Sequence, residues 1–384
     1  MIDNRKTLKS HAGRALALGA SLLAAAVLAG CAAGSARPKP AELPPNVALI
    51  GVRQAWTARV PAVNFPLQTR VVGNQVVVAG GDGSVVTLDA NTGAEVARAN
   101  VGTTLSAGVG SDGRTHAVVT RDNNVVALEG GREIWRYRLP TQSYTAPLVA
   151  GGRVFVLGAD RSLTALDGRA GTLLWTVQRP AEPLVLRQAG VLTAVGNTLV
   201  AGLAGRLVGV NPDSGNVTWE APVASARGTN DVERLVDLVG GVRRQDNVVC
   251  ARAFQAAVGC VDTYNGNVAW TRTANGATGV DGDDQRVFGA ESDGRVLAWR
   301  ADNGDRSWSS ERLQWRYLTA PLVLGRSVVM GDETGLVHFL SREDGSPLTR
   351  VSTDSSGIAV SPVVAGNTLV VVTRNGGVYG FRPD

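Results

Sequence analysis

The chain has 384 residues, with a formal net charge of +5 and a pI near 9.4. Arg5, Lys6, Lys9 and Arg14, set against Asp3, supply +3 of that charge, and the rest of the chain is nearly neutral. Its arginines are scattered among acids and form no basic tract, which argues against nucleic acid as a partner. Forty-seven glycines, abundant valine and no long 3.6-residue periodicity beyond residue 30 exclude a helical protein and predict many short strands joined by tight turns.

The first element is a basic leader followed by an unbroken apolar run, residues 15–30 (ALALGASLLAAAVLAG). It falls short of the ~20 residues that a membrane span needs, so residues 1–30 are read as a signal peptide. Leu28-Ala29-Gly30-Cys31 resembles the lipobox of bacterial lipoproteins. That resemblance implies lipidation of Cys31 and attachment to a membrane through acyl chains, two or more of which anchor stably. By resemblance to enteric-type sorting, Ala32 in place of Asp implies the periplasmic face of the outer membrane. Residues 31–51, Pro-rich over 32–46, are expected to form an extended, semi-rigid tether.

From residue 82 onward one pattern recurs. Its copies are DGSVVTLDANTG (82–93), DNNVVALEGG (122–131), DRSLTALDGRAG (160–171), AGRLVGVNPDSG (204–215), QAAVGCVDTYNG (255–266), DGRVLAWRADNG (293–304), TGLVHFLSREDG (334–345) and NGGVYGFRPD (375–384). Successive copies start 38 to 51 residues apart. Most are preceded by a second alternating segment and, before that, a short apolar one such as Ala146-Pro147-Leu148-Val149. Each unit therefore holds four short antiparallel strands, and radial repetition of such sheets makes a β-propeller. The last copy lacks its fourth strand. Residues 53–60 (RQAWTARV) carry Trp56 in the matching setting. The expected fold is thus all-β, an eight-bladed propeller of four-stranded antiparallel blades over residues 52–384, closed by an N-terminal strand that completes the last blade.

Trp135, Trp175, Trp219, Trp270 and Trp308 all lie four residues after the turn glycine, while blades one and seven have Ala97 and Thr349 there. A ring of identical positions cannot converge on one ligand, so these indoles are expected to dock in the seams between blades.

The sequence offers little catalytic chemistry. His116 and His338 sit alone in strand patterns, no cluster has metal-ligand spacing, and no metal or cofactor is expected. Gly108–Gly113 matches G-x-G-x-x-G but precedes a strand pattern rather than a helix, and reads as a turn. Asp281-Gly282-Asp283-Asp284 lacks the rest of a calcium loop. Cys250 and Cys260 are symmetric about a hairpin tip near Phe254-Gln255, and in an exported protein such a pair is expected to be a disulfide.

The repeat L-x-A-L-D-x-x-T-G-x-x-x-W resembles that of the pyrroloquinoline-quinone propellers, a group of enzymes and non-enzymes. With the lipobox, the Pro-rich tether and bare blades, the chain resembles, among them, the lipoproteins of the β-barrel assembly machinery of the Gram-negative outer membrane. The likeness covers residues 20–384. It implies a non-enzymatic scaffold whose partner is the set of POTRA domains of the barrel-inserting subunit, with the rest of that complex and unfolded outer-membrane proteins as further partners. Pro183-Leu184-Val185-Leu186-Arg187 resembles the family's L-x-L-R segment, and residues 228–237 (GTNDVERLVD) resemble its G-x-x-E-[IV]-[DE]-R-L-x-D segment. Carried over, Leu184 and Leu186 supply apolar contact, Arg187 and Arg234 cations, and Asp237 an acid. Where the family often has a second Asp, this chain has Val239. From the residues alone, the alternation of Leu184 and Leu186 is equally that of a buried innermost strand. The rival functions are a quinoprotein-type dehydrogenase, which resembles longer chains with a vicinal disulfide and a calcium site, and a generic periplasmic binding propeller.

Overall fold

The computed structural model describes residues 38–179, 184–226, 229–231 and 234–384. They form eight four-stranded antiparallel sheets, each a meander in which consecutive strands pair. The blades span residues 70–100, 110–138, 148–177, 192–222, 238–273, 280–310 and 322–352, and the eighth is 363–383 together with 52–59. Innermost strands touch at six of the eight seams, the one between blades eight and one among them; that of blade five meets the second strand of blade four, and blades seven and eight share a core, so the sheets close into a ring.

The closure is the one the incomplete last repeat called for. Val52–Arg59 pairs antiparallel with Gly377–Pro383, with Thr57 opposite Tyr379 and Val52 opposite Pro383. No blade edge is left exposed by a missing strand, which removes a site for unwanted pairing.

Within a blade, position decides composition. Second and third strands are covered on both faces by neighbouring blades, so Gln75–Ala79 (QVVVA) and Ser84–Asp89 (SVVTLD) are apolar almost throughout and buried. Outer strands such as Glu95–Asn100 (EVARAN) face solvent and alternate polar with apolar residues. In blades one, three and five the third strand ends in an Asp that caps the following turn: Asp89 accepts from the N–H groups of Asn91 and Thr92, Asp167 from those of Arg169 and Ala170, and Asp262 from that of Tyr264.

The tryptophans lock the seams. Each lies on an outer strand opposite a small residue of the third strand: Trp135 faces Ala127, Trp175 Ala165, Trp219 Gly209, Trp270 Cys260, Trp308 Ala298 and Trp56 Gly380. The indole then reaches the turn of the next blade. Trp135 Nε1 donates to the carbonyl of Gly168 at 2.9 Å, and Trp56, Trp175, Trp270 and Trp308 make the equivalent bond to Ala90, Pro212, Ala301 and Arg342. The ring stacks on the turn glycine. At Gly171, with φ of +68°, a Cβ would lie 2.5 Å from Trp135, so this turn requires glycine for its backbone and for its closeness.

Residues 41–51, expected as the end of a free spacer, lie along blades six and seven. Ala41 N–H donates to Gln314 O (2.9 Å), Leu49 N–H to Leu348 O (2.7 Å), and Asn46 Nδ2 to Arg350 O (3.0 Å). Leu43 and Ile50 pack on the cores of those blades. The strap uses backbone groups and two apolar anchors, neither of which has a periodic signature.

Candidate functional site

The two irregular connectors flanking blade four meet at one end of the ring. Residues 184–190 precede the strand Leu192–Val195, and residues 234–237 precede Leu238–Gln245. The first connector does not form the buried innermost strand that its alternation also allowed. It is irregular, Leu184 is 41% exposed, and Leu186 is half-buried. The reason is its attachment further along: Gly190 forms a β-bridge with Val239 and Gly240 N–H donates to Ala189 O (2.6 Å). That pairing pulls the segment across blade four to blade five, and Gln188 Nε2 reaches Ala277 O (2.8 Å) beyond it.

Asp237 ties the connectors together. One carboxylate oxygen accepts the Leu186 N–H at 3.1 Å, and the other meets Arg161 Nη2 of blade three at 3.3 Å. The side chains are 18% and 7% exposed, so this ion pair is largely desolvated. Its geometry makes Asp237 a clasp first, since both oxygens have internal partners. Arg187 is exposed and its guanidinium lies 5.8 Å from the centre of the Tyr144 ring, within cation–π range. Arg234 is exposed one turn earlier on the second connector, its N–H directed to Asn230 O. Val239, at the position of the missing second acid, is fully buried. A cavity of about 50 Å³ under the clasp, lined by Tyr144, Arg161, Leu186 and Asp237 among others, has room for little more than a water or two. What the first connector presents is an exposed leucine and, three residues on, an exposed arginine stacked near Tyr144.

Two members of the arrangement escaped the sequence reading, Arg161 and Tyr144. Arg161 carried a signal: it stands in the second-to-third-strand turn where other blades have Gly83 or Gly294, and it takes a φ of +62°. A non-glycine residue in that region is uncommon enough to mark a functional or clamping position.

Elsewhere, Cys250 and Cys260 lie directly opposite each other on the second and third strands of blade five, fully buried, and are joined in a disulfide. Gly108–Gly113 forms an edge strand and turn leading into Thr115–Val119, and Asp283 caps the turn between Val280–Gly282 and Arg286–Ala290. Among the described residues no three His, Cys, Asp or Glu side chains converge as a metal site would require. Cys31 and the leader lie outside the described residues.

A family model described as outer membrane protein assembly factor BamB matches residues 81–310, more than half of the chain. The chain belongs to the BamB family. The BamB of Burkholderia pseudomallei is 40% identical over 367 residues, covering 94% of this chain and 96% of its own length. That of Bordetella pertussis is 36% identical over 382 residues, covering 98% and 99%. The crystal structure of BamB from Moraxella catarrhalis superposes with a TM-score of 0.79 at 22% identity, over 86% of this chain and 99% of that one, and shares the propeller fold. The family model thus spans blades two to six and both connectors around blade four, and the two relatives align over nearly the whole chain.

Proposed function

We propose that this BamB-family chain is a non-enzymatic scaffold of outer-membrane protein assembly. In this reading it is held by acyl chains on Cys31 at the periplasmic face of the outer membrane and docks on the POTRA domains of the barrel-inserting subunit. Its contribution is to orient those periplasmic arms while client barrels insert. The observation that carries the reading is the exposed Leu184 and, three residues on, the exposed Arg187, on a connector tied down at Leu186 and at Ala189–Gly190. Arginine is enriched in binding hot spots, and an exposed leucine near it offers apolar surface whose burial stabilises a complex. In this reading Leu186 adds apolar contact, Asp237 holds the Leu186 backbone, and Arg234 supplies a second cation from the other connector.

The test is capture of the purified barrel-inserting subunit by immobilised chain. Leu184→Asp and Arg187→Glu should each weaken capture by about tenfold or more, the scale of one hot-spot truncation, with unchanged melting. Retention of wild-type capture by both would sink the docking surface. Release of Cys31→Ala from the outer-membrane fraction tests the anchor separately.

A further inference from the structure

Six seams of the ring share one construction. An indole from the outer strand of one blade stacks on the turn glycine of the next, and packs into one core with a fixed position of that blade's second strand. Trp135 thus sits with Val154, Trp270 with Val287 and Trp308 with Val328. The fixed position is the one paired with the last apolar residue of the third strand. In all six seams it is a valine or leucine at most 1% exposed.

The seam between blades one and two departs from this at three points. Ala97 stands where the indole would be, opposite Thr87. His116, paired with Leu128, stands at the fixed position of the second strand. The turn of blade two is shortened to Gly130-Gly131, and a Cβ on Gly130 would meet nothing within 4 Å. All three departures line one cavity of about 160 Å³, walled also by Val85, Thr87 and Leu128. At its rim stands Val96, 54% exposed.

His116 suits a slot that is filled only part of the time. It is half-buried, and its Nδ1 has no hydrogen-bond partner among the described residues. Burial lowers its pKa against the opposing charge of Asp112, so the imidazole is neutral near neutral pH. A valine at this place would be wetted whenever the slot stood open. A neutral imidazole tolerates water and can also be covered without burying a charge. The sister seams show what shape of group covers it. Thr87 is bulkier than the Ala, Gly or Cys opposite each indole elsewhere, and the open space at the shortened turn offsets that on the other side.

We propose that the seam between blades one and two binds the side chain of a tryptophan on a partner polypeptide, the indole lying over His116 between Ala97 and the Gly130-Gly131 turn. The molecule supplies the template, because the same strands and turn close on an indole in six other seams. Tryptophan is also among the residues most enriched in binding hot spots, where it fills such pockets. The turn at one end of the outer strand and the connector at its other end lie on opposite ends of the ring, so the slot is remote from residues 184–190.

The test is an NMR titration of the full chain in mild detergent with N-acetyl-tryptophanamide, read at the His116 ring and the Ala97 methyl. Saturable shifts at both are expected. N-acetyl-leucinamide should bind about tenfold or more weakly, since it lacks the aromatic face and its area. Ala97→Trp fills the slot from within, and should raise Tm and abolish the shifts at His116. Ala97→Leu, a smaller plug, should weaken binding and serves if the larger one does not fold. Trp135→Ala opens the sister slot between blades two and three, and should gain a second site for the probe, read at Val154. Absence of saturable shifts at His116 in the wild type overturns the proposal, as does undiminished binding to the Ala97 variants. Equal binding of the leucine compound overturns the indole assignment. Free indole binding about tenfold tighter than N-acetyl-tryptophanamide would make the occupant a small molecule and overturn the polypeptide partner.

Discussion

Replacing Asp237 by alanine removes two internal contacts at once. It leaves Arg161, 7% exposed, without its counter-charge, and the Leu186 N–H without its acceptor. Breaking a buried ion pair by deleting one partner costs about 3–5 kcal/mol. Partial exposure of Asp237 brings that to roughly 2 kcal/mol, and the orphaned N–H adds about 1 kcal/mol. For a ring of this size the sum lowers Tm by about 6 °C. Asp237→Asn, which keeps an acceptor for Leu186, should lose about two-thirds of that. Calorimetry gives the stability, and hydrogen exchange of residues 184–190 reports the connector, which should open faster in Asp237→Ala. Capture of the barrel-inserting subunit then falls in Asp237→Ala together with stability, whereas in Arg187→Ala it falls at unchanged Tm. An Asp237→Ala protein with wild-type melting and wild-type exchange over 184–190 would refute the clasp, and the acid would then have to act directly on the partner.

Three further outcomes are expected. Trp135→Ala should cost about 3–5 kcal/mol, and Gly171→Ala a comparable amount through the same seam, so the double variant should fall well short of the sum; additive losses would separate the two residues. Asp332 is fully buried; burial alone would raise its pKa, but hydrogen bonds from His338, Thr334 and the Leu336 N–H, with the charge of His338, bring it from 3.8 down to about 2. A lowered folded-state value means stability that is complete above pH ~4 and lost as pH falls toward 2, about 2 kcal/mol in all. Acid unfolding of Asp332→Asn should be correspondingly shallower, and equal slopes would contradict this. Thiol titration of the unfolded chain bearing Cys31→Ala without reductant should find no free thiol at Cys250 or Cys260, and reduction should lower stability by about 2–3 kcal/mol for so short a loop; two free thiols would rule the disulfide out.

The blades were legible because each strand type repeats its own burial, and the turn residues between them repeat with it. Even the closing strand could be placed, since Trp56 carries the same seam position as the other indoles. The candidate site was legible only as a departure from the repeat. Leu184 and Leu186 alternate as a strand would, and nothing local shows that pairing of Gly190 with Val239 draws them out of the sheet. The role of Asp237 depends on Arg161, 76 residues earlier, and no periodicity links the two. The strap over residues 41–51 was hidden for a related reason: it is held mainly through backbone N–H and C=O groups, which leave no mark in a sequence.

The closing strand also sets an order of events. Val52–Arg59 has no partner until Gly377–Pro383 has been made, so a growing or translocating chain carries an unsatisfied strand edge through nearly its whole emergence. Pairing over so long a separation in sequence is slow to nucleate, and the waiting edge is open to association with other extended chains. A chaperone that shields residues 52–59 until the C-terminal strand is available would therefore raise the chain's yield.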